Sequence, residues 1–207
     1  MSFIRSLIIG FFLAVISLSS FGQKTTAPAR DSVTLEGFIS EDKTLTPNKV
    51  YVVKYNVKVG KNAVLTVNPG TKVFFDAGTS LVVEGGLNIE GAPNNFAEFT
   101  SRNPNAPGNG ILIRGGQGKD ISIRYAFFNQ LNVPLRFESE WSRKNVIIEK
   151  NVFTEMYTGE SNILITSPMV DYQPGGDNSV NLSFSNNSFH DNWGSIFIEN
   201  GAPVVVE

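Results

Sequence analysis

Ten residues, ISIRYAFFNQ at 121–130, recur as VIIEKNVFTE at 146–155 and again as LSFSNNSFHD at 182–191. Superposed, the three copies keep an apolar residue at the first position (Ile121, Val146, Leu182) and another at the third (Ile123, Ile148, Phe184). The eighth position is always phenylalanine: Phe128, Phe153 and Phe189. Each copy is followed by a short apolar run, VPLRF from Val133, NILI from Asn162 and SIFI from Ser195, so one repeat reads as two strands and a turn. A motif that cannot bury its own apolar face has to bury it against its neighbouring copies.

The spacing says what kind of repeat this is. Phe128 and Phe153 are 25 residues apart, and Phe153 and Phe189 are 36 apart; the surplus falls at the Pro/Gly-rich loop 166–179, TSPMVDYQPGGDNS. A period in the twenties, with β-branched alternation and no heptads, predicts a solenoid whose coils stack. Strands of successive coils then lie roughly 4.8 Å apart, so equivalent residues form columns. The three phenylalanines are expected to form one such column inside the tube, and Asn151 and Asn187, sharing the sixth position, a structural amide ladder at a corner. At the fourth position Arg124 falls over Glu149, an outer-surface ion pair.

Composition agrees with a single folded domain. At 207 residues, 41% hydrophobic and 17% charged, the chain can bury a full core. Its Gly and Pro residues punctuate short runs of Val, Ile, Thr and Phe, the pattern of an all-β protein rich in turns. A net charge of −2 and a pI near 5.5 provide no basic stripe for phosphates, so nucleic acid is not an expected partner.

The first 22 residues read as a secretory signal peptide: Arg5, an apolar run over 7–18, then Ser20 and Gly22 at the −3 and −1 positions of a cut before Gln23. That run is short of the ~20 residues that a membrane span needs. The expectation is export, to a periplasm, a cell surface or the medium, with no membrane span left after cleavage. There is no cysteine, so stability has to come from the stacked core. Residues 23–32 read as a flexible tether, 33–49 as an N-terminal cap, and 50–207 as coils.

Within 50–91 the short strands YVV, NVKV, AVLTV, KVFF, SLVV and LNI are separated by Gly-Lys-Asn, Asn-Pro-Gly-Thr and Gly-Gly corners. Tight hairpins would favour Asn-Gly or Asp-Gly, so these corners predict parallel coils. The run NVKVGKNAVLTVNPGTKVFF, followed by SLVVEGGLNIEG, AEFTS and GILIRGG, resembles the opening coils of exported bacterial right-handed parallel β-helix proteins, which include pectate-lyase-like domains. The resemblance implies an all-β, right-handed parallel β-helix. It leaves function open, because this architecture serves lyases, hydrolases, adhesins and inert scaffolds alike.

The resemblance also suggests where chemistry would sit. In pectate-lyase-like enzymes, acidic side chains on adjacent coils hold Ca²⁺ against an acidic sugar while a basic group removes a proton. Glu155 and Asp191 share the tenth repeat position, Asp171 and Asp177 lie on the 166–179 loop, and His190 adjoins Asp191. These are the Ca²⁺ and binding candidates, and the same carboxylates also read as solvated turn residues. Trp141, Tyr157, Tyr172 and Trp193 interrupt the apolar alternation and are candidates for stacking on sugar faces. The polar turns at 102–109 and 166–179 exceed what stacking requires and read either as binding loops or as tolerated insertions. No GxSxG, HExxH or phosphate-loop motif is present, and no catalytic residue is assigned.

Two functions are therefore expected. The first is a non-catalytic exported scaffold or binding module, with a polysaccharide or cell-envelope protein as partner and no cofactor. The second is a polysaccharide lyase or hydrolase, which alone would call for Ca²⁺. The chain stops on the apolar run at 204–206, so its last coil is expected to be covered by further chain, a partner or a second copy.

Overall fold

A computed structural model of the chain describes residues 31–114, 119–138, 145–156, 163–165, 181–192, 196–198 and 205–206. These residues contain strands and no helix. They wind into seven coils of three strands each. The first coil holds β1 (Asp31–Thr34), β2 (Phe38–Ile39) and β3 (Lys43–Leu45); the second β4 (Lys49–Val53), β5 (Val57–Val59) and β6 (Val64–Val67). The third holds β7 (Lys72–Phe75), β8 (Ser80–Val83) and β9 (Gly86–Glu90); the fourth β10 (Ala97–Ser101), β11 (Gly110–Ile113) and β12 (Ile121–Arg124). The fifth holds β13 (Ala126–Asn129), β14 (Leu135–Phe137) and β15 (Asn145–Glu149); the sixth β16 (Val152–Thr154), β17 (Ile163–Ile165) and β18 (Asn181–Ser185). The seventh holds β19 (Ser188–His190), β20 (Ile196–Ile198) and β21 (Val205–Val206).

Every third strand joins the same sheet. Sheet A runs β1-β4-β7-β10-β13-β16-β19, sheet B runs β2-β5-β8-β11-β14-β17-β20, and sheet C runs β3-β6-β9-β12-β15-β18-β21. All pairings between these strands are parallel, and the architecture is a right-handed parallel β-helix. Parallel neighbours require a connection that returns to the same edge, and the rest of each coil provides it.

The register is the one that the repeat implies. Phe99 pairs with Phe128, Phe128 with Phe153 and Phe153 with Phe189. Their rings stack at 5.2, 4.9 and 4.9 Å between centroids. Val73 and Tyr51 continue that column toward the first coil. Phe128 and Phe153 are fully buried, whereas Phe189, in the seventh coil, is 36% exposed. Mainly aliphatic columns fill the other two walls, such as Val67, Ile89, Ile123 and Ile148 in sheet C and Val59, Val83 and Ile113, followed by Phe137, in sheet B.

One expectation about organisation changes. The ten-residue motif is not one strand of a two-strand repeat: it is the end of one coil and the start of the next, so a coil has three strands. The break falls on the fifth position, where Tyr125, Lys150 and Asn186 have φ of 50°, 56° and 56°. One left-handed residue turns the chain from sheet C into sheet A and reverses which parity faces inward. Residues 33–49, expected as an N-terminal cap, carry strands of the first coil, with β1 already in register against β4. That register also takes in Asp31 and Ser32 from the expected tether.

Candidate functional site

Asn151, Asn187, Glu155 and Asp191 lie in columns at the corners between sheets. Where sheet C turns into sheet A, the Asn151 carboxamide accepts a hydrogen bond from the Ala126 backbone N–H at 2.8 Å and donates to the Ile123 carbonyl at 2.9 Å. One coil on, Asn187 accepts from the Asn151 backbone N–H and from its Nδ2, and donates to the Ile148 carbonyl at 2.8 Å. Thr71 does part of the same work two coils before Ala126, its hydroxyl donating to the Leu45 carbonyl. These side chains bond backbone groups at the corner where sheet C gives way to sheet A, and the Leu45 carbonyl also accepts from the Asn68 N–H.

A second column lies at the other end of sheet A. Gln130, Glu155 and Asp191, at the tenth position, have φ of 54°, 56° and 51°. They are therefore the residues that turn the chain out of sheet A. Gln130 Nε2 donates to the Glu155 carboxylate at 2.6 Å, and the Glu155 N–H donates to the His190 carbonyl. At the eleventh position Asn192 accepts from the Met156 N–H and donates to the Phe153 carbonyl. Sequence reading missed that amide; its signal is an Asn three residues after the column phenylalanine.

His190 stands in register with Thr154, and Thr154 with Asn129, on the outer face of sheet A. Among the described residues no three His, Cys, Asp or Glu side chains form a group that could hold a metal ion. Asp171, Asp177, Trp141, Tyr157, Tyr172 and Trp193 lie outside the described residues, as do the signal-peptide residues and the 166–179 loop. Arg124 donates through Nε to Glu149 at 2.9 Å. The 102–109 turn is stitched to both neighbouring coils: the Gly108 N–H donates to Ser101 Oγ, the Asn132 N–H to the Gly108 carbonyl, and the Gly78 N–H to the Pro107 carbonyl.

Among the described residues a shallow concave feature lies elsewhere, in residues that sequence reading did not select. Between β9 and β10 the corner expands into a tight turn in which Ala92 and Asn95 bond to each other through their backbones. This turn stands over the outer face of sheet A and leaves a groove of about 300 Å³ lined by Asn94, Asn95, Phe96, Glu98 and Phe127. Phe127 points outward because it alternates with the inward Ala126 and Phe128, and it pairs with Glu98 on one side and Val152 on the other. Phe96 packs edge-on against Tyr125 at 6.1 Å, and the Lys150 ammonium sits 5.5 Å from the Tyr125 ring centre. Glu98 is paired with Lys72 of the preceding coil at 2.5 Å.

Two details hold the turn in place. Gly70 has φ of 73°, and its N–H donates to the carbonyls of Asn95 and Phe96. A Cβ at Gly70 would fall 2.4 Å from the Asn95 side-chain oxygen, so the absent side chain is what lets Asn95 lie over the corner. Among the described residues the Asn94 side chain makes no hydrogen bond and is exposed.

Comparison with protein-family models, with curated proteins and with solved structures finds no significant match to the chain.

Proposed function

We propose that this chain is an exported, non-catalytic β-helix that acts as a scaffold or binding module, associated with carbohydrate or with the cell surface. The observation that supports it most is how the charged side chains at equivalent positions of adjacent coils are used. Glu155 accepts from Gln130, Arg124 is engaged by Glu149, and Glu98 by Lys72. Each bond runs along the axis and joins one coil to the next, which is a stacking role. A general acid or base instead needs to be within reach of a substrate proton.

The other reading, a polysaccharide lyase or hydrolase of the pectate-lyase-like type, rests on Glu155 and Asp191 occupying one column in adjacent coils. The two are separated by titrating the chain with Ca²⁺ in the presence of polygalacturonate and following ultraviolet absorbance of unsaturated products. The scaffold reading expects no product at any Ca²⁺ concentration. Sustained product formation by pure protein overturns it.

A further inference from the structure

We propose that the groove between the 92–95 turn and the outer face of sheet A binds an uncharged N-acetylated amino sugar, as a terminal unit or within a short chain. This rests on the binding-module reading and names the ligand class for it.

Size sets the first limit. A groove of about 300 Å³ is at the small end of ligand sites, which run roughly 300–1,000 Å³, and accommodates a single sugar ring with part of its neighbour. Chemistry sets the second. Phe127 and Phe96 present apolar carbon surface, suited to the C–H face of a pyranose ring or to a methyl group. Asn94 and Asn95 each carry one amide acceptor and two donors, which match the N–H and C=O of an acetamido group in paired hydrogen bonds. A plain hexose uses the rings but has no amide to pair with the two asparagines.

Charge sets the third. The groove carboxylate, Glu98, is already compensated by Lys72, none of the five lining residues is a cation, and the Lys150 ammonium beside them is engaged over the Tyr125 ring. Bringing a second carboxylate beside Glu98 would add like-charge repulsion and a desolvation cost. The geometry thus favours a ligand that is apolar on one face, amide-bearing at one substituent and uncharged.

The test is isothermal titration calorimetry of the full chain with three probes of equal length: chitotriose, cellotriose and trigalacturonate. Chitotriose is expected to bind at least about tenfold more tightly than the other two, a difference of ~1.4 kcal/mol. Phe127→Ala and Asn94→Ala are each expected to weaken chitotriose by about fivefold or more, while Phe38→Ala, on sheet B in the first coil, leaves it unchanged. Asn94 is exposed, so its variant tests the groove even if Phe127→Ala folds poorly. Absence of chitotriose binding, equal binding of cellotriose, preference for trigalacturonate, or affinity insensitive to Asn94→Ala overturns the assignment. Sugar binding that ignores the groove variants overturns it while leaving the binding-module reading standing; cleavage of polygalacturonate overturns that reading itself.

Discussion

The ring of Phe153 lies 4.9 Å from that of Phe128, with 8° between their planes, although 25 residues separate them in the chain. The same spacing and angle relate Phe153 to Phe189. Because each ring is both floor and ceiling for its neighbours, the column couples one coil to the next, and stability passes along the axis from coil to coil.

Phe128→Ala is expected to cost about 3–5 kcal/mol, since it empties a fully buried site with a ring on either side. Phe189→Ala, where the ring is 36% exposed, is expected to cost clearly less. Urea denaturation of the two variants checks this. Equal losses would mean that the column does not carry the packing energy assigned to it.

Asn151 is 1% exposed and serves two backbone groups, the Ala126 N–H and the Ile123 carbonyl. Asn151→Ala leaves the buried Ala126 N–H unpaired, at about 1–3 kcal/mol, and takes a second hydrogen bond from the Ile123 carbonyl. Asn151→Asp keeps the acceptor for Ala126 but sets a carboxylate oxygen against the Ile123 carbonyl, so it should not rescue the loss. Amide exchange at Ala126 should accelerate in Asn151→Ala and be the most sensitive local readout.

At the C-to-A corners the backbone asks for a left-handed residue. Lys150 has φ of 56° and is not glycine. An L-residue there costs roughly 1–2 kcal/mol, and a β-branched one more. Lys150→Gly is therefore expected to exceed Lys150→Val in stability by about 2 kcal/mol, measured as paired thermal or urea unfolding. The reverse order would show that the corner has shifted out of the left-handed region.

Gly91 lies directly against the backbone of the next coil. A Cβ there would lie 1.9 Å from the Tyr125 carbonyl oxygen, which is backbone and cannot swing away. Gly91→Ala is expected to force the third and fourth coils apart and to disturb the turn that frames the groove. Loss of chitotriose affinity together with a lowered unfolding midpoint is the expected outcome; a wild-type midpoint would contradict the close approach.

The Arg124–Glu149 pair is half exposed on the Arg side, so its contribution is small. A double-mutant cycle with alanine at both positions should give a coupling of ~0–1 kcal/mol that shrinks with added salt. A coupling of several kcal/mol would indicate a role beyond surface pairing.

How much was legible depended on whether a feature repeats. The three copies of the motif announced stacked coils, the phenylalanine column and the amide pair of Asn151 and Asn187, because parallel in-register strands place like residues on like. The parity of the apolar positions also held the corner: first and third are odd and the eighth is even, and one unbroken strand cannot turn all three to the same face. Read that way, the left-handed fifth position of Tyr125, Lys150 and Asn186 was already encoded. Glu155 and Asp191 read from the sequence either as Ca²⁺ candidates or as turn residues; their φ of 56° and 51° places them at a turn, and that angle is not visible in residue type when the left-handed position is filled by something other than glycine.

The sequence by itself determined the stack, because periodic apolar positions in an otherwise polar chain can be buried together only by winding. Tertiary structure alone decided the groove. Asn94, Asn95, Phe96 and Glu98 come from one corner and Phe127 from the next coil, nothing in their order repeats, and they meet only because the 92–95 turn projects over a neighbouring strand. A column follows from the period of the chain, whereas a concavity arises where a single coil departs from it.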